Sequence, residues 1–238
     1  MIHVDPKAVI LLSGGLDSTV TAAIAKQGGY RLYCLTISYG QRHHVEVERA
    51  RAVAQALSAA AHVVVDVDLR AFGGSALTDD VTVPKDRSQE DRAGGIPVTY
   101  VPARNTIFLS LALAYAETLE AQRIYFGANV LDYSGYPDCR PDFIRAFEVV
   151  ARLGTKMGIE GRAVEVCAPL LMLSKAEIVQ RGQELRAPLE LTHSCYDPGA
   201  DGVACGRCDS CRIRREASAW PELWIRSPMR YSNDHRGD

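Results

Sequence analysis

Long apolar runs are missing from this chain, since no stretch approaches the ~20 uninterrupted apolar residues of a membrane helix. The first residues, Met1 to Lys7, lack the basic region, apolar stretch and cleavage site of a secretory leader. Neither sign of charge dominates, because 27 Lys and Arg stand against 29 Asp and Glu. We therefore expect no membrane span and no export, and the balance argues against a dedicated nucleic-acid binder, which would carry a basic excess.

The composition is that of an ordinary globular protein. Hydrophobic residues make up 47% and charged residues 24% of the 238 residues. This length accommodates one large domain, or one domain with a small appendage, and it can bury a substantial core without disulfide bonds.

The first third of the chain alternates strand and helix patterns. Short apolar runs meet glycine turns and segments with apolar residues at helical spacing. The predicted order is a strand at 8–12, a helix at 16–27, a strand at 31–38, a helix at 44–60 and a strand at 62–67. Alternation of this kind predicts an α/β fold with a doubly wound, mostly parallel sheet and right-handed crossovers.

The pattern breaks between residues 70 and 103, where glycines, prolines and mixed charges predict a long loop, either a functional lid or a disordered segment. Beyond it, the sequence predicts strands at 123–128 and 163–167 and helices at 106–119, 142–157 and 174–185. The helix at 106–119 is almost entirely apolar, so we expect it to be buried. Ser174 and Glu177 have the spacing of a capping box at the start of the last of these helices.

A glycine-rich loop, Ser13-Gly14-Gly15-Leu16-Asp17-Ser18-Thr19, follows the first strand. Ligands of open α/β sheets bind at this edge. Two glycines free backbone N–H groups to face an anion, and the hydroxyl groups and the helix N-terminus add to a phosphate site. Asp17 would repel phosphate, so we expect it to hold Mg²⁺ that bridges to the phosphate oxygens. The loop is neither a Walker A motif, which needs Gly-Lys-Ser/Thr, nor G-x-G-x-x-G.

We predict that a phosphate-bearing ligand binds along the end of the strand, the loop and the first turns of the helix. The loop resembles that of the PP-loop ATP pyrophosphatase superfamily, which implies that this ligand is ATP. The predicted ATP-binding residues are Leu12, Ser13, Gly14, Gly15, Leu16, Asp17, Ser18, Thr19, Val20, Thr21 and Ala22.

Four of the seven cysteines, Cys195, Cys205, Cys208 and Cys211, crowd into 17 residues. In a chain expected to be cytoplasmic and reduced, such a cluster indicates a metal site rather than disulfides. Four thiolates fill the coordination sphere of Zn²⁺ and leave no position for water, which predicts a structural role. An iron–sulfur cluster is the main competitor. We therefore predict an ATP-binding α/β domain at 1–191 and a zinc-binding segment with the tail at 192–238.

The glycine-rich loop resembles the SGGxDS loop of the PP-loop ATP pyrophosphatase superfamily, whose members transfer AMP to a carbonyl or carboxyl oxygen. With the cysteine cluster added, nearly the whole chain resembles the 7-cyano-7-deazaguanine synthase family of queuosine precursor biosynthesis. Further motifs that carry this resemblance are YGQRH at 39–43, VPARN at 101–105, DYSGYPDCR at 132–140 and SKAEI at 174–178.

The resemblance implies an enzyme that converts 7-carboxy-7-deazaguanine, ammonia and ATP into the nitrile. It implies a PP-loop fold of the adenine nucleotide alpha hydrolase type, one Zn²⁺ per subunit and often a homodimer. The carboxylate would be adenylated and attacked by ammonia, and the resulting amide would be activated again. No glutaminase domain fits in 238 residues, so ammonia is expected to be free or delivered by a partner. The number of ATP molecules consumed stays open.

Three residues are the candidates for catalysis: Asp17, Arg104 and Lys175. Arg104 can hold a carboxylate or phosphate through paired hydrogen bonds, or can simply cap the helix that it begins. Lys175 can neutralise the negative charge that develops on phosphate, or can be a solvated lysine. A covalent thioimidate at Cys139 is the minor alternative, since adenylation already activates the carbon.

Substrate recognition is assigned mainly to the segment after the fourth strand. The candidate substrate-binding residues are Asn105, Asp132, Tyr133, Tyr136, Asp138 and Arg140. The base presents adjacent N1–H and amino donors, which one carboxylate can accept together. We favour Asp138 over Asp132 as that carboxylate, with tyrosines stacked on the ring, whereas a simple tight turn is the alternative.

Other functions explain part of the sequence. Another PP-loop enzyme that modifies tRNA would need a basic surface or an RNA-binding module. An NAD or GMP synthetase would leave the cysteine cluster unexplained. Outside the enzymes, a zinc-ribbon protein that binds ATP without turnover is the alternative.

Overall fold

The computed structural model describes residues 5–41, 45–92, 95–131, 135–218 and 231. They contain a five-stranded sheet in the order β3-β2-β1-β4-β5, in which every neighbouring pair is parallel. The strands are β1 Lys7–Leu11, β2 Arg31–Ser38, β3 Ala61–Asp66, β4 Arg123–Tyr125 and β5 Glu165–Cys167. The chain winds outward from β1 to β3 and then returns to β4 on the other side of β1. This doubly wound topology confirms the predicted fold class and creates a crevice at the carboxyl ends of β1 and β4.

The helices are α1 Leu16–Gln27, α2 Val45–Ala56, α3 Gln89–Arg92, α4 Arg104–Leu119, α5 Pro141–Gly154, α6 Lys156–Ile159, α7 Lys175–Glu184 and α8 Asp209–Ser218. Short 3-10 turns lie at Leu69–Ala71, Pro137–Cys139 and Leu189–Leu191. Helix α7 begins as predicted, because the Ser174 hydroxyl accepts the Glu177 N–H while the Glu177 carboxylate accepts the Ser174 N–H. Within the described ranges, no helix is both long and apolar enough to cross a bilayer.

The sheet separates two apolar layers. Ala8 and Ile10 of β1 pack on the side of α1, α2 and α7, whereas Val9 packs on the side of α4 and α5. All three side chains are fully buried. Period-two alternation between two covered faces explains why β1 reads as a continuous apolar run. Burying a Val or Ile side chain contributes about 1.5–3 kcal/mol, so this strand anchors the loop that follows it.

Several predicted elements differ in length from the observed ones; the helix predicted at 44–60, for example, ends at Ala56. The strand predicted at 123–128 ends at Tyr125, which leaves the following residues free to line the crevice. The helix predicted at 142–157 breaks at Thr155, whose backbone is extended. The Thr155 hydroxyl donates to the Ala151 carbonyl at 2.7 Å and accepts the Gly158 N–H at 2.9 Å. Thr155 thus ends the hydrogen bonding of α5 and caps α6.

The prediction that the apolar helix is buried is correct for one side of α4 only. Leu109, Ala112, Leu113 and Ala116 are buried, whereas Ser110 and Ala114 are exposed. Although α4 is apolar around its whole circumference, only one side of the helix is buried in the single chain.

The described residues of the long loop at 70–103 pack on the segment that carries the four clustered cysteines, residues 192–218, which we call the cysteine segment. Lys85 forms an antiparallel bridge with Cys208, and the Arg87 guanidinium pairs with Asp209 at 3.1 Å. Val83 is buried beside the cysteines. The C-terminal segment in turn joins the main core through Ala217 of α8. The division of the chain at residue 191 stays a prediction.

Candidate functional site

A cavity of about 310 Å³ opens at the carboxyl edge of the sheet, beside the switch point between β1 and β4. Its wall is formed by the glycine-rich loop, the ends of β1, β2 and β4, the starts of α2, α4 and α7, and the cysteine segment. Elements far apart in sequence therefore meet around one space, as expected for a ligand site in this fold.

The glycine-rich loop is held in shape by its own hydroxyl groups. The Ser18 hydroxyl accepts the Ser13 N–H at 3.2 Å and donates to the Gly15 carbonyl at 3.1 Å. The Thr19 hydroxyl donates to the same carbonyl at 2.9 Å. These contacts fix the loop above the N-terminus of α1, where the helix dipole favours an anion.

Gly14 is the position where the loop requires glycine. Its φ of +81° lies in the left-handed region, and an added Cβ would lie 2.4 Å from the Glu46 carbonyl oxygen and 2.6 Å from the Ala50 nitrogen. On the other side, the His193 N–H donates to the Gly14 carbonyl at 3.0 Å. The loop is therefore clamped between α2 and the cysteine segment.

Asp17 and Lys175, two of the predicted catalytic residues, contact each other across the cavity wall. The Lys175 ammonium donates to both carboxylate oxygens of Asp17 at 2.8 Å. The side chains are only 16% and 28% exposed, so this pair is screened less than a surface salt bridge. This contact holds the Lys175 ammonium beside the glycine-rich loop.

Arg104, the third predicted catalytic residue, lies in the cavity wall beside aromatic rings. Its guanidinium carbon is 5.6 Å from the centre of the Tyr39 ring and 5.7 Å from that of Phe108. Such cation–π contacts hold a flexible side chain in one place. Asn105 and Tyr136, both predicted to bind substrate, also line the cavity.

Glu46, at the start of α2, is a further charged residue in this wall. Burial raises the pKa of its carboxyl group from 4.5 to about 7, although the nearby Arg104 acts in the opposite direction. The sequence analysis missed Glu46. The available signal was its place at the beginning of the helix after β2, because such a helix start lies at the same edge of the sheet.

Asp138 has a different environment from the one expected of a base-reading carboxylate. It is buried, and it accepts the Asn105 N–H at 2.9 Å at the start of α4. Burial raises the pKa of this carboxyl group, while the hydrogen bond from Asn105 lowers it. Among the described residues, the cavity wall includes the neighbours Tyr136 and Cys139 but not Asp138.

The remaining substrate candidates are placed as follows. Arg140 is exposed at the start of α5 and is absent from the described cavity wall, and its contact with the substrate stays a prediction. Asp132 and Tyr133 lie outside the described residues. Base recognition by Asp132 or Asp138 stays a prediction.

The predicted ATP-binding residues divide into three groups. Those in the cavity wall are Leu12, Ser13, Gly15, Leu16, Asp17 and Ser18. Gly14 and Thr19 shape the loop behind them. Val20, Thr21 and Ala22 are buried in α1 and, within the described chain, do not line the cavity.

The four clustered cysteines, Cys195, Cys205, Cys208 and Cys211, are all buried, and their sulfur atoms lie within 4.8 Å of one another. Tetrahedral Zn–S bonds of ~2.3 Å require sulfur atoms roughly 3.8 Å apart, so the cluster fits a metal ion. Backbone N–H groups of Cys205 and Cys208 donate to cysteine sulfurs at 3.2 and 3.3 Å. Such bonds stabilise thiolates, which are the form that binds a metal.

The cysteine segment also contributes side chains to the cavity that the sequence analysis missed. Arg214 is 2% exposed, and its guanidinium donates to the Ser194 hydroxyl at 3.0 Å. Burial lowers the pKa of Arg214, yet an arginine keeps its charge. His193 and Tyr196 line the same wall. No motif marks Arg214, because its place depends on how the cysteines fold.

A doubly wound parallel sheet with this glycine-rich loop and an opposing lysine defines a nucleotide-binding α/β protein of the PP-loop class. The family model described as "Queuosine biosynthesis protein QueC" matches residues 7–220. The chain belongs to this family.

Curated relatives are similar over almost their full length. The 7-cyano-7-deazaguanine synthase of Desulfatibacillum aliphaticivorans is 56% identical over 226 residues, 94% of this chain and 96% of the relative. That of Geobacter sp. (strain M21) is 56% identical over 94% of this chain and 97% of the relative. That of Myxococcus xanthus (strain DK1622) is 55% identical over 95% and 97%.

Among solved structures, a 4-thiouridine synthetase–RNA complex with bound ATP is similar at 22% identity and a TM-score of 0.49. This match covers 78% of the present chain and 42% of the other. A match at this level carries no functional information.

Proposed function

We propose that this protein is a 7-cyano-7-deazaguanine synthase, which converts 7-carboxy-7-deazaguanine and ammonia to the nitrile at the expense of ATP. The observation that carries the proposal is a single cavity that joins a phosphate-binding loop to a wall of Arg104, Tyr39 and Tyr136. A flat heterocyclic acid can pack against such a wall with its carboxylate directed toward the loop.

The phosphates of ATP would lie against the loop from Ser13 to Ser18. Backbone N–H groups and hydroxyls there donate hydrogen bonds, and the N-terminus of α1 adds positive potential. Lys175 and Arg214 bring two positive charges to the same wall. They would stabilise the charge that develops as the bond between the α- and β-phosphates breaks.

Asp17 supplies the carboxylate oxygens that suit Mg²⁺ at this loop. When bound there, the ion would neutralise phosphate charge. Because Asp17 also accepts hydrogen bonds from Lys175, its second task is to orient that lysine.

The chemistry requires two activations at one site. The carboxylate attacks the α-phosphate, which gives an acyl adenylate and pyrophosphate, and ammonia then displaces AMP to give the amide. The amide oxygen must be activated in the same way before it leaves and the nitrile forms. Both steps place a carbonyl oxygen at the α-phosphate, so one cavity serves for both. Arg104 would hold the acid by its carboxylate.

The cysteine cluster is proposed to hold one structural Zn²⁺. Its four buried thiolates complete a tetrahedral site, and the segment that they fold carries Arg214 to the cavity. The metal would then support catalysis only by fixing that segment.

Location and assembly complete the proposal. Free thiols suit a reducing compartment, which supports a cytoplasmic location.

The homodimer stays a prediction, and exposed Val150 and Leu153 of α5 offer an apolar surface for it. Light scattering across a concentration series would measure the assembly.

The decisive experiment is a pyrophosphate-release assay with purified protein. Sustained release of pyrophosphate and AMP should require both the deazaguanine acid and ammonium, whereas the acid alone should give at most one pyrophosphate per site. Mass spectrometry should detect the nitrile. Release that depends on tRNA would instead indicate an RNA-modifying enzyme. ATP binding without any turnover would indicate a non-catalytic protein.

A further inference from the structure

Two carboxylates line the described part of the cavity wall, and they have different neighbours. Asp17 lies at the phosphate loop and accepts two hydrogen bonds from Lys175. Glu46 lies at the start of α2, close enough to Arg104 and Tyr39 for its charge to act on both. Of these two carboxylates, Glu46 is the one near Tyr39 and Arg104, whereas Asp17 is near Lys175 and Tyr196.

The surroundings of Glu46 suit a flat heterocycle. The rings of Tyr39 and Phe108 pack 5.6 Å apart, and the Arg104 guanidinium lies over both of them. An aromatic base can stack on such a surface, and a carboxylate at its margin can then reach hydrogen-bond donors on the edge of the base.

We propose that the Glu46 carboxylate recognises the guanine-type edge of the substrate by accepting its N1–H and its exocyclic amino N–H together. This inference rests on the proposed function and names the specificity-determining residue of that function. Two adjacent donors match two carboxylate oxygens, and a base that lacks either donor leaves one oxygen without a partner.

The adenine of ATP is the competing ligand for this position. Adenine presents one donor and one acceptor on the corresponding edge, so an ionised carboxylate would face the N1 lone pair. Burial raises the pKa of Glu46 to about 7 and the positive charge of Arg104 opposes this rise, so the ionised form is present at neutral pH and predominates above it. The donor–donor edge of the deazaguanine is therefore the better match.

Asp138, the residue favoured from the sequence, is less suited to this task. One of its oxygens accepts the Asn105 N–H at 2.9 Å, and burial separates it from the described cavity wall. If Asp138 turned away to bind the base, the Asn105 N–H at the start of α4 would lose its hydrogen-bond acceptor. Glu46 can bind the base without such a loss.

The test combines Glu46→Gln with a substrate analogue that lacks the 2-amino group. Wild-type protein should bind the acid about tenfold to a hundredfold more tightly than the 2-deamino analogue, because a charge-assisted hydrogen bond is lost. In Glu46→Gln the affinity for the acid should fall by a similar factor, and the preference over the analogue should shrink to less than about threefold. The KM for ATP should stay within about twofold of wild type.

Glu48→Gln is the matched control, because Glu48 is exposed on the same helix. It should keep both the affinity and the preference for the 2-amino group. A Glu46→Gln protein that folds, as shown by its melting curve, and keeps the full preference would overturn the inference. A rise in the KM for ATP with unchanged affinity for the acid would overturn it as well and assign Glu46 to adenine.

If the proposed function itself is wrong, the same binding and turnover measurements give a different result from the failure of the Glu46 inference. In that case wild-type protein would neither bind the acid nor turn it over. If the wild type is active and Glu46→Gln keeps its discrimination, the function stands and only the role of Glu46 is wrong.

Discussion

Lys175 and Asp17 are 158 positions apart in sequence, yet the lysine ammonium lies 2.8 Å from both oxygens of the aspartate. The contact joins the start of α7 to the phosphate loop at the start of α1. Each residue was a separate candidate from the sequence, and the structure makes them one unit. A unit of this kind is expected to respond to mutation non-additively.

Asp17→Asn should lower the rate of AMP and pyrophosphate formation by about a hundredfold or more. The variant would lose the carboxylate that is proposed to hold Mg²⁺ at the phosphates, and Lys175 would lose its ion-pair partner. Lys175→Met should have a similar effect. The double variant should be little worse than either single one. Quenched-flow assays of AMP measure all three, with exposed Asp80→Asn as the control. Additive losses would show that the two residues act independently, and ADP as the primary product would exclude adenylation.

Gly14→Ala should destabilise the protein by roughly 3 kcal/mol or more, since a left-handed backbone and an overlap with α2 both oppose a side chain there. Gly29→Ala is the matched control, because its φ of +79° is nearly the same and an added Cβ would meet nothing within 4 Å. It should cost about 1 kcal/mol. Urea unfolding gives both values. Equal costs would mean that the contact with Glu46 and Ala50 is unimportant.

Cys208→Ser should reduce metal content and melting temperature together. A structural metal contributes to folding directly, and a loss of ~3 kcal/mol corresponds to about 10 °C for a chain of this size. Cys167→Ser in β5 should keep the metal. Elemental analysis and calorimetry provide the two readouts. Loss of turnover and metal at an unchanged melting temperature would point to a metal that takes part in the reaction.

Glu46→Gln should change how stability depends on pH. The pKa of Glu46 is raised from 4.5 to about 7 on folding, so its favourable contribution is present below pH 4.5 and is lost as the pH rises through 7. Glutamine does not ionise. The variant should therefore gain stability over wild type of about 3 kcal/mol at pH 8, and the gain should vanish near pH 4.5. A pH-independent difference in denaturant titrations would contradict the shift.

Cys139 should be dispensable for chemistry. Burial raises the pKa of its thiol to about 11, so little thiolate exists at neutral pH. Its sulfur also accepts a hydrogen bond from the Asn105 side chain at 3.1 Å. Cys139→Ser should keep turnover within about tenfold of wild type, and intact-mass spectra should contain no covalent adduct with the substrate. A stable adduct at this residue would restore the thioimidate route.

The sequence predicts the features that depend on local pattern. Alternating apolar runs identified the parallel sheet, and Ser174 with Glu177 marked the start of α7. The Ser13-to-Thr19 loop could be found because glycines and hydroxyls at a strand–helix junction have few other uses. The cysteine cluster was equally visible, since its members are close in sequence as well as in space.

The features that the sequence could not show depend on contacts between distant segments. Only the folded chain shows that Asp138, 33 positions away in sequence, accepts the Asn105 N–H at the start of α4. Arg214 carries no motif, and it reaches the cavity through the fold of the cysteine segment. Glu46 required knowledge that the start of α2 lines the wall. Composition alone also could not show which side of α4 the core covers.

The clamp on Gly14 has a consequence for the time at which the enzyme becomes active. His193 of the cysteine segment donates to the Gly14 carbonyl, and Arg214 lines the same cavity. On the ribosome, the glycine-rich loop emerges early, whereas these two residues follow Gly14 by 179 and 200 positions. The cavity is therefore finished only when the cysteine segment has been made and has folded onto the sheet.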